Sequence, residues 1–152
     1  MTRSRAYLIA ALCGIFLCAA LGTTASAAEA APPQEWRGTW ALERDLGAAA
    51  VSALSSAQVK ALLGTSLLLT DRTSIPGGAT CTSPQFQISQ ESPEAIASDF
   101  RVPLPELRTT GALRVLDVGC ASDGYSLVRL GDQSALLIYQ GHVFLAAKVP
   151  GG

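Results

Sequence analysis

Apolar and polar residues alternate from Trp36 to Leu42. Trp36, Gly38, Trp40 and Leu42 fall on one face, and Arg37, Thr39 and Ala41 on the other. A period of two with aromatics predicts a half-buried strand, the first of a β-rich domain. Glu43-Arg44-Asp45 reads as a solvated charge cluster, with Gly47 ending the segment. Ser55-Ser56-Ala57-Gln58 matches a capping box, so a helix starts there. Val59, Leu62 and Leu63 form its buried face, and Gly64 stands where a left-handed C-cap is wanted. A short apolar strand from Ser66 to Thr70 follows, then a turn at Ile75-Pro76-Gly77-Gly78. Gln85 to Ser89 alternates as a strand. Ser92-Pro93-Glu94 opens a second helix, with Ser as N-cap and Pro at the first helical position. It runs to Phe100, and Ile96 and Phe100 share a face. One more helical turn fits Pro105 to Thr109. The last third alternates strands and turns: Leu113–Val118, Tyr125–Leu130, Ala135–Tyr139 and His142–Val149. The turns fall at Ser122-Asp123-Gly124, at Gly131 to Ser134 and at Gln140-Gly141. This pattern predicts a β-meander.

The N-terminal segment has a different pattern. Arg3 and Arg5 precede an uncharged apolar run from Ala6 to Leu21, which leads to Ala25-Ser26-Ala27. That is the layout of a secretory signal peptide, with Ala28 as the first mature residue. An uncleaved anchor is the rival, since a span needs roughly 20 apolar residues; the small-residue tail favours cleavage. Cys13 and Cys18 each follow Leu, which does not suit lipidation, so both leave with the leader. Ser4 splits the two arginines, so a twin-arginine route is not indicated. The expected organisation is a signal peptide over 1–27, a flexible mature N-terminus over 28–35 carrying Pro32-Pro33, and a single domain over 36–150.

Removing 27 leader residues from 152 leaves 125, enough for one core. The leader takes two of the 11 basic residues. Nine then stand against 12 acidic ones, a net charge of −3 with His neutral. Such a dispersed, mildly acidic surface offers no footprint for nucleic acid or anionic lipid. Cys81 and Cys120 remain, and in an exported chain an even pair reads as one disulfide. The expected location is the periplasm or the exterior, with no membrane attachment after cleavage.

Candidate chemistry is sparse. His142 is the single histidine. It reads as a strand residue beside a hairpin tip, with a general base or ligand as the rival role. Cys81, Cys120 and His142 do not complete a four-ligand zinc site. Asp71, Asp123 and Asp132 lie beside turns, and turn chemistry explains them. Asp117 lies within an apolar strand. It reads as the solvent face of an edge strand, or else as an inward carboxylate paired with Arg114 or Arg129. Trp40 reads as core. Trp36, together with His142 and Tyr125, is a candidate contact for a ligand or partner. No catalytic set, cofactor motif or metal set emerges, so no catalytic residue, cofactor or metal is assigned.

Gly38-Thr39-Trp40 near the mature start resembles the Gly-x-Trp signature of lipocalin-type barrels. The resemblance implies a Trp that closes one barrel end, with Lys148 from the last strand packed over it. The wider layout also resembles small uncharacterised exported proteins of Gram-negative bacteria. It runs through Leu62-Leu63-Gly64, Cys81-Thr82-Ser83-Pro84-Gln85-Phe86, Cys120 and Gly141-His142-Val143-Phe144-Leu145. The chain is shorter than a lipocalin and carries two helices among its strands. The expected fold is therefore α+β, mainly antiparallel β: a small lipocalin-like or partly closed β-barrel with two short helices. The expected function is non-catalytic binding, by a monomer, of a small apolar ligand or a partner protein. The alternative is a periplasmic inhibitor of an exogenous hydrolase such as a lysozyme or a protease, with the Ile75 to Gly78 or Ser122 to Tyr125 loop as its tip. A hydrolase ranks third.

Overall fold

The computed structural model describes residues 31–107, 111–121 and 123–151. The expected leader, residues 28–30, Thr109 and Ser122 lie outside them. Among the described residues, seven strands form one antiparallel sheet: β1 (Gly38–Ala48), β2 (Ser66–Leu69), β3 (Gln85–Glu91), β4 (Leu113–Gly119), β5 (Gly124–Arg129), β6 (Ser134–Tyr139) and β7 (His142–Lys148). Their order across the sheet is β2-β1-β7-β6-β5-β4-β3, with β2 and β3 at the edges. The last four strands are the expected meander. The sheet curls into a half-barrel. Leu67 and Leu69 of one edge share a core cluster with Phe86 of the other.

Helix α1 (Ser56–Leu62) forms because its N-terminus is satisfied locally. The Ser55 side chain accepts from the Gln58 amide, and Gln58 reaches back to the Ser55 amide. Gly64 takes a left-handed φ of +79° just beyond the helix. In α2 (Pro93–Phe100), Ser92 Oγ accepts from the Ala95 amide and Pro93 occupies the first turn. The short α3 (Leu104–Leu107) follows. Val59 and Leu62 of α1 face the concave cluster. Ile96 and Leu107, from α2 and α3, join Leu113, Val115, Val128 and Leu136 in a second cluster on the convex side.

One expectation near the start of the domain needs correction. The strand does not begin at Trp36 or stop at the charge cluster. Gln34–Trp36 is a 3-10 turn, closed by the Trp36 amide donating to the Pro33 carbonyl. Strand β1 continues to Ala48 because two bulges, at Leu42/Arg44 and Asp45/Gly47, carry it past the charges while it keeps pairing with β7. Each bulge adds an unpaired residue and resets the face alternation, which hides the strand from a period-two reading. The chain just before this turn is packed as well. Pro32 is buried, and its carbonyl accepts from Arg37 Nε at 2.8 Å.

The concave side is filled. Trp36, Trp40, Phe86 and Phe144 are each at most 1% exposed, and Leu127 and Leu137 pack among them. Burying large aromatics here removes the space that a deep ligand cup would need.

Candidate functional site

The antiparallel register gives the half-barrel two distinct ends. At one end Trp40 lies directly opposite Lys148. The Lys148 ammonium stands 5.5 Å over the Trp40 ring and donates to the Glu35 carbonyl at 3.2 Å. Trp40 Nε1 donates to the Trp36 carbonyl at 2.9 Å. Arg129 reaches the same Glu35 carbonyl and lies 5.9 Å from the Trp36 ring. Arg114 pairs with the Glu35 carboxylate at 2.7 Å. The Glu35 carboxyl is held below the usual glutamate value by its own backbone amide first, then, against partial burial, by Arg114 and Arg129. This end is therefore a plug held by three cations. Gly38, Trp40 and Lys148 sit within it. Trp36 sits there too, wholly buried, so in this conformation it presents no surface to a ligand or partner.

The opposite end carries α1, the Ile75 to Gly78 turn, and the hairpin tips of β4–β5 and β6–β7. Tyr125 belongs here but is also buried, with its hydroxyl donating to the Ser74 carbonyl at 3.1 Å. Burial pushes its phenol up. Like Trp36, it offers no outward contact. Asp123 does more than make a turn. Its Oδ1 accepts from the Gly124 amide, and its Oδ2 accepts from Tyr139 Oη at 2.7 Å and Gln140 Nε2 at 2.9 Å. Burial alone would raise this carboxyl, but the three hydrogen bonds outweigh it and leave the group below the usual aspartate value. Burial and then Asp123 push the Tyr139 phenol up to about 12.

Two surface clefts flank α1 at this end. One, of about 320 Å³, is lined by Leu54, Ala61, Leu62, Pro76, Tyr139 and Gln140 among others. The other, of about 350 Å³, is lined by Asp45, Ser56, Val59, Lys60, Leu63 and His142. In the second cleft His142 Nδ1 lies 3.1 Å from Asp45 Oδ1, which also accepts from the Gly47 amide. The imidazole packs at a tilt on Phe144, with ring centroids 5.7 Å apart. The Asp45 partner was not evident from the sequence, because 97 positions separate the two residues. Their alignment across the β1–β7 ladder depends on the second bulge of β1.

Asp117 falls outside both sequence readings. Strand β4 lies between β3 and β5, so it is not an edge. The carboxylate accepts from Ser126 Oγ across the β4–β5 ladder. Arg114 pairs instead with Glu35, and Arg129 with Asp132 at 2.7 Å. Asp117 borders a third cleft, about 240 Å³, between α2 and the convex face.

Cys81 and Cys120 are joined, with Cα atoms 5.4 Å apart. The bridge ties the segment between β2 and β3 to the β4–β5 turn. That segment also covers the outer edge of β2: the Ser74 amide donates to the Leu68 carbonyl, and Ser74 Oγ accepts from the Leu68 amide. No family model, curated protein or solved structure matches the chain. The functional reading therefore rests on this geometry.

Proposed function

We propose that the protein is an exported, non-catalytic binding protein of lipocalin-like cast, working in the periplasm or outside the cell. In this reading it engages a partner protein through its α1 end and takes up no small apolar ligand inside the barrel. The observation that carries the choice is the filled concave core, with four aromatic side chains where a ligand would sit. The α1 end supplies what a docking surface needs. Val51 is 84% exposed, Ala57 and Ala61 of α1 face outward, and largely apolar clefts open on both sides of the helix. The Cys81–Cys120 bridge suits an oxidising compartment.

The test uses the protein recovered after export. Native mass spectrometry should find no uncharged apolar molecule retained by the folded chain. Affinity capture from periplasmic extract should retain a discrete protein that is lost with Ala57→Arg and kept with Arg101→Ala, beyond the end of α2. An uncharged apolar ligand that stays bound through desalting, or capture indifferent to Ala57→Arg, would overturn the proposal.

The inhibitor reading keeps one supporting feature. The Ile75 to Gly78 turn is pinned by the Gly78 amide to the Ile75 carbonyl, by the Ser74–Thr80 bridge and by the nearby disulfide, while Gly77 and Gly78 stay exposed. A stiff, exposed tip is what enters an active site with least ordering cost. Assays of lysozymes and proteases with and without the protein decide it: unchanged rates at saturating protein count against inhibition.

A further inference from the structure

We propose that the cleft between α1 and the β1–β7 ladder binds a small organic carboxylate, an anion carried on an apolar body. Val59 and Leu63 supply apolar wall, and Lys60 of α1 stands at the border. Lys60 has no ion-pair partner among the described residues. His142 is mostly buried, its side chain 13% exposed, and Asp45 and Phe144 hold its ring in place. A ring that donates from Nδ1 to a carboxylate keeps Nε2 for a ligand.

Charge fixes what that ligand brings. Lys60 is positive, Asp45 negative, and both border the cleft with His142. An added carboxylate against a neutral ring would leave one net negative charge in a partly desolvated space. A proton shared between the ligand oxygen and Nε2 makes the cleft neutral, with the resulting imidazolium facing Asp45 and the ligand facing Lys60. Binding of the anion to the neutral ring therefore takes up one proton, and it weakens as pH rises. No covalent bond is made or broken. The cleft is one of the two that flank α1, and its variants differ from Ala57→Arg, so the two proposals can fail separately.

The probe is sodium octanoate, with the uncharged octanamide as control, titrated calorimetrically into the exported protein. At about pH 8, octanoate should saturate one site per chain. It should bind at least about tenfold more tightly than octanamide, as expected for charge-assisted hydrogen bonds. Heats measured in buffers of different ionisation enthalpy should show close to one proton taken up. Lys60→Gln should weaken octanoate about tenfold and leave the proton uptake in place. His142→Gln should abolish the uptake. Lys60 is solvent-exposed on its helix, so Lys60→Gln and the wild-type proton count carry the test if His142→Gln does not fold. Equal affinity for octanamide, no proton uptake, or no saturable site would each overturn the proposal.

Discussion

Asp123 lies in the β4–β5 turn, yet its carboxylate serves the neighbouring hairpin by accepting from Tyr139 and Gln140. Its folded-state pKa is depressed, so its contribution is present above the unfolded value of 3.8 and is lost as pH falls through the folded one. Tyr139 is the mirror case. Its pKa is raised from 10.0 to about 12, so its contribution is complete below pH 10 and is lost as pH climbs through about 12. Urea midpoints measured across pH should therefore fall at both extremes. Asp123→Asn should flatten the acid limb, and Tyr139→Phe should reduce the slope between pH 10 and 12. A parallel drop at every pH in both variants would mean that the pair is merely packed. Gly141 makes a sharper demand on its site. Its φ is +78°, and an added Cβ would lie 2.1 Å from the Val51 carbonyl oxygen. The Ala49 and Ala53 amides donate to the tip carbonyls of Gly141 and Gln140, which holds the loop there and leaves no room to retreat. Gly141→Ala should cost about 2 kcal/mol or more. Gly131→Ala, whose nearest contact would be Ser134 Oγ at 3.6 Å, should stay within about 0.5 kcal/mol. Chemical denaturation of the two variants checks the contrast.

Among the elements, the segment between β2 and β3 depends most on a covalent tie. It has a single isolated bridge, Ser74 to Thr80, and its backbone docks through Ser74, whose amide donates to the Leu68 carbonyl and whose carbonyl accepts from Tyr125 Oη. The disulfide closes a separation of 39 residues, worth roughly 4 kcal/mol by loop entropy before strain. Cys81→Ser and Cys120→Ser should lower thermal stability by similar amounts, and the double variant should add little to either. Additive losses in calorimetry would show that the two thiols act separately. Elements of this kind were legible in the sequence where their signals are local. The two helix starts follow from side chains within four residues of the backbone groups they satisfy, and the meander turns from the Gly and Asp residues that interrupt its apolar runs. What depended on distant partners was not legible. The 3-10 turn of Trp36 is held by Arg129 and Lys148, which lie far along the chain. The bulges of β1 erase its alternation where the charges begin. Asp117 lies on an inner strand rather than an edge because β3 pairs along its whole length, a fact of strand order that no single segment carries.

At the scale of the whole molecule the sheet has two covered faces, and β6 joins them. Leu136 belongs to the convex cluster and Leu137 to the concave one, and both are fully buried. Both tryptophans lie on the concave side, so tryptophan fluorescence reports that layer directly. If the layers fold as one unit, a cavity on the convex side must lower the transition seen by the concave probe. Leu136→Ala and Leu137→Ala should each cost about 2 to 5 kcal/mol. In both variants the fluorescence and far-ultraviolet circular dichroism transitions should coincide. An α2–α3 layer that melts on its own would instead give Leu136→Ala an early dichroism change with unchanged fluorescence. The strand order favours a single transition. Strands β4, β5, β6 and β7 each send side chains to both clusters, so neither layer can lose its packing while the shared strands keep their register.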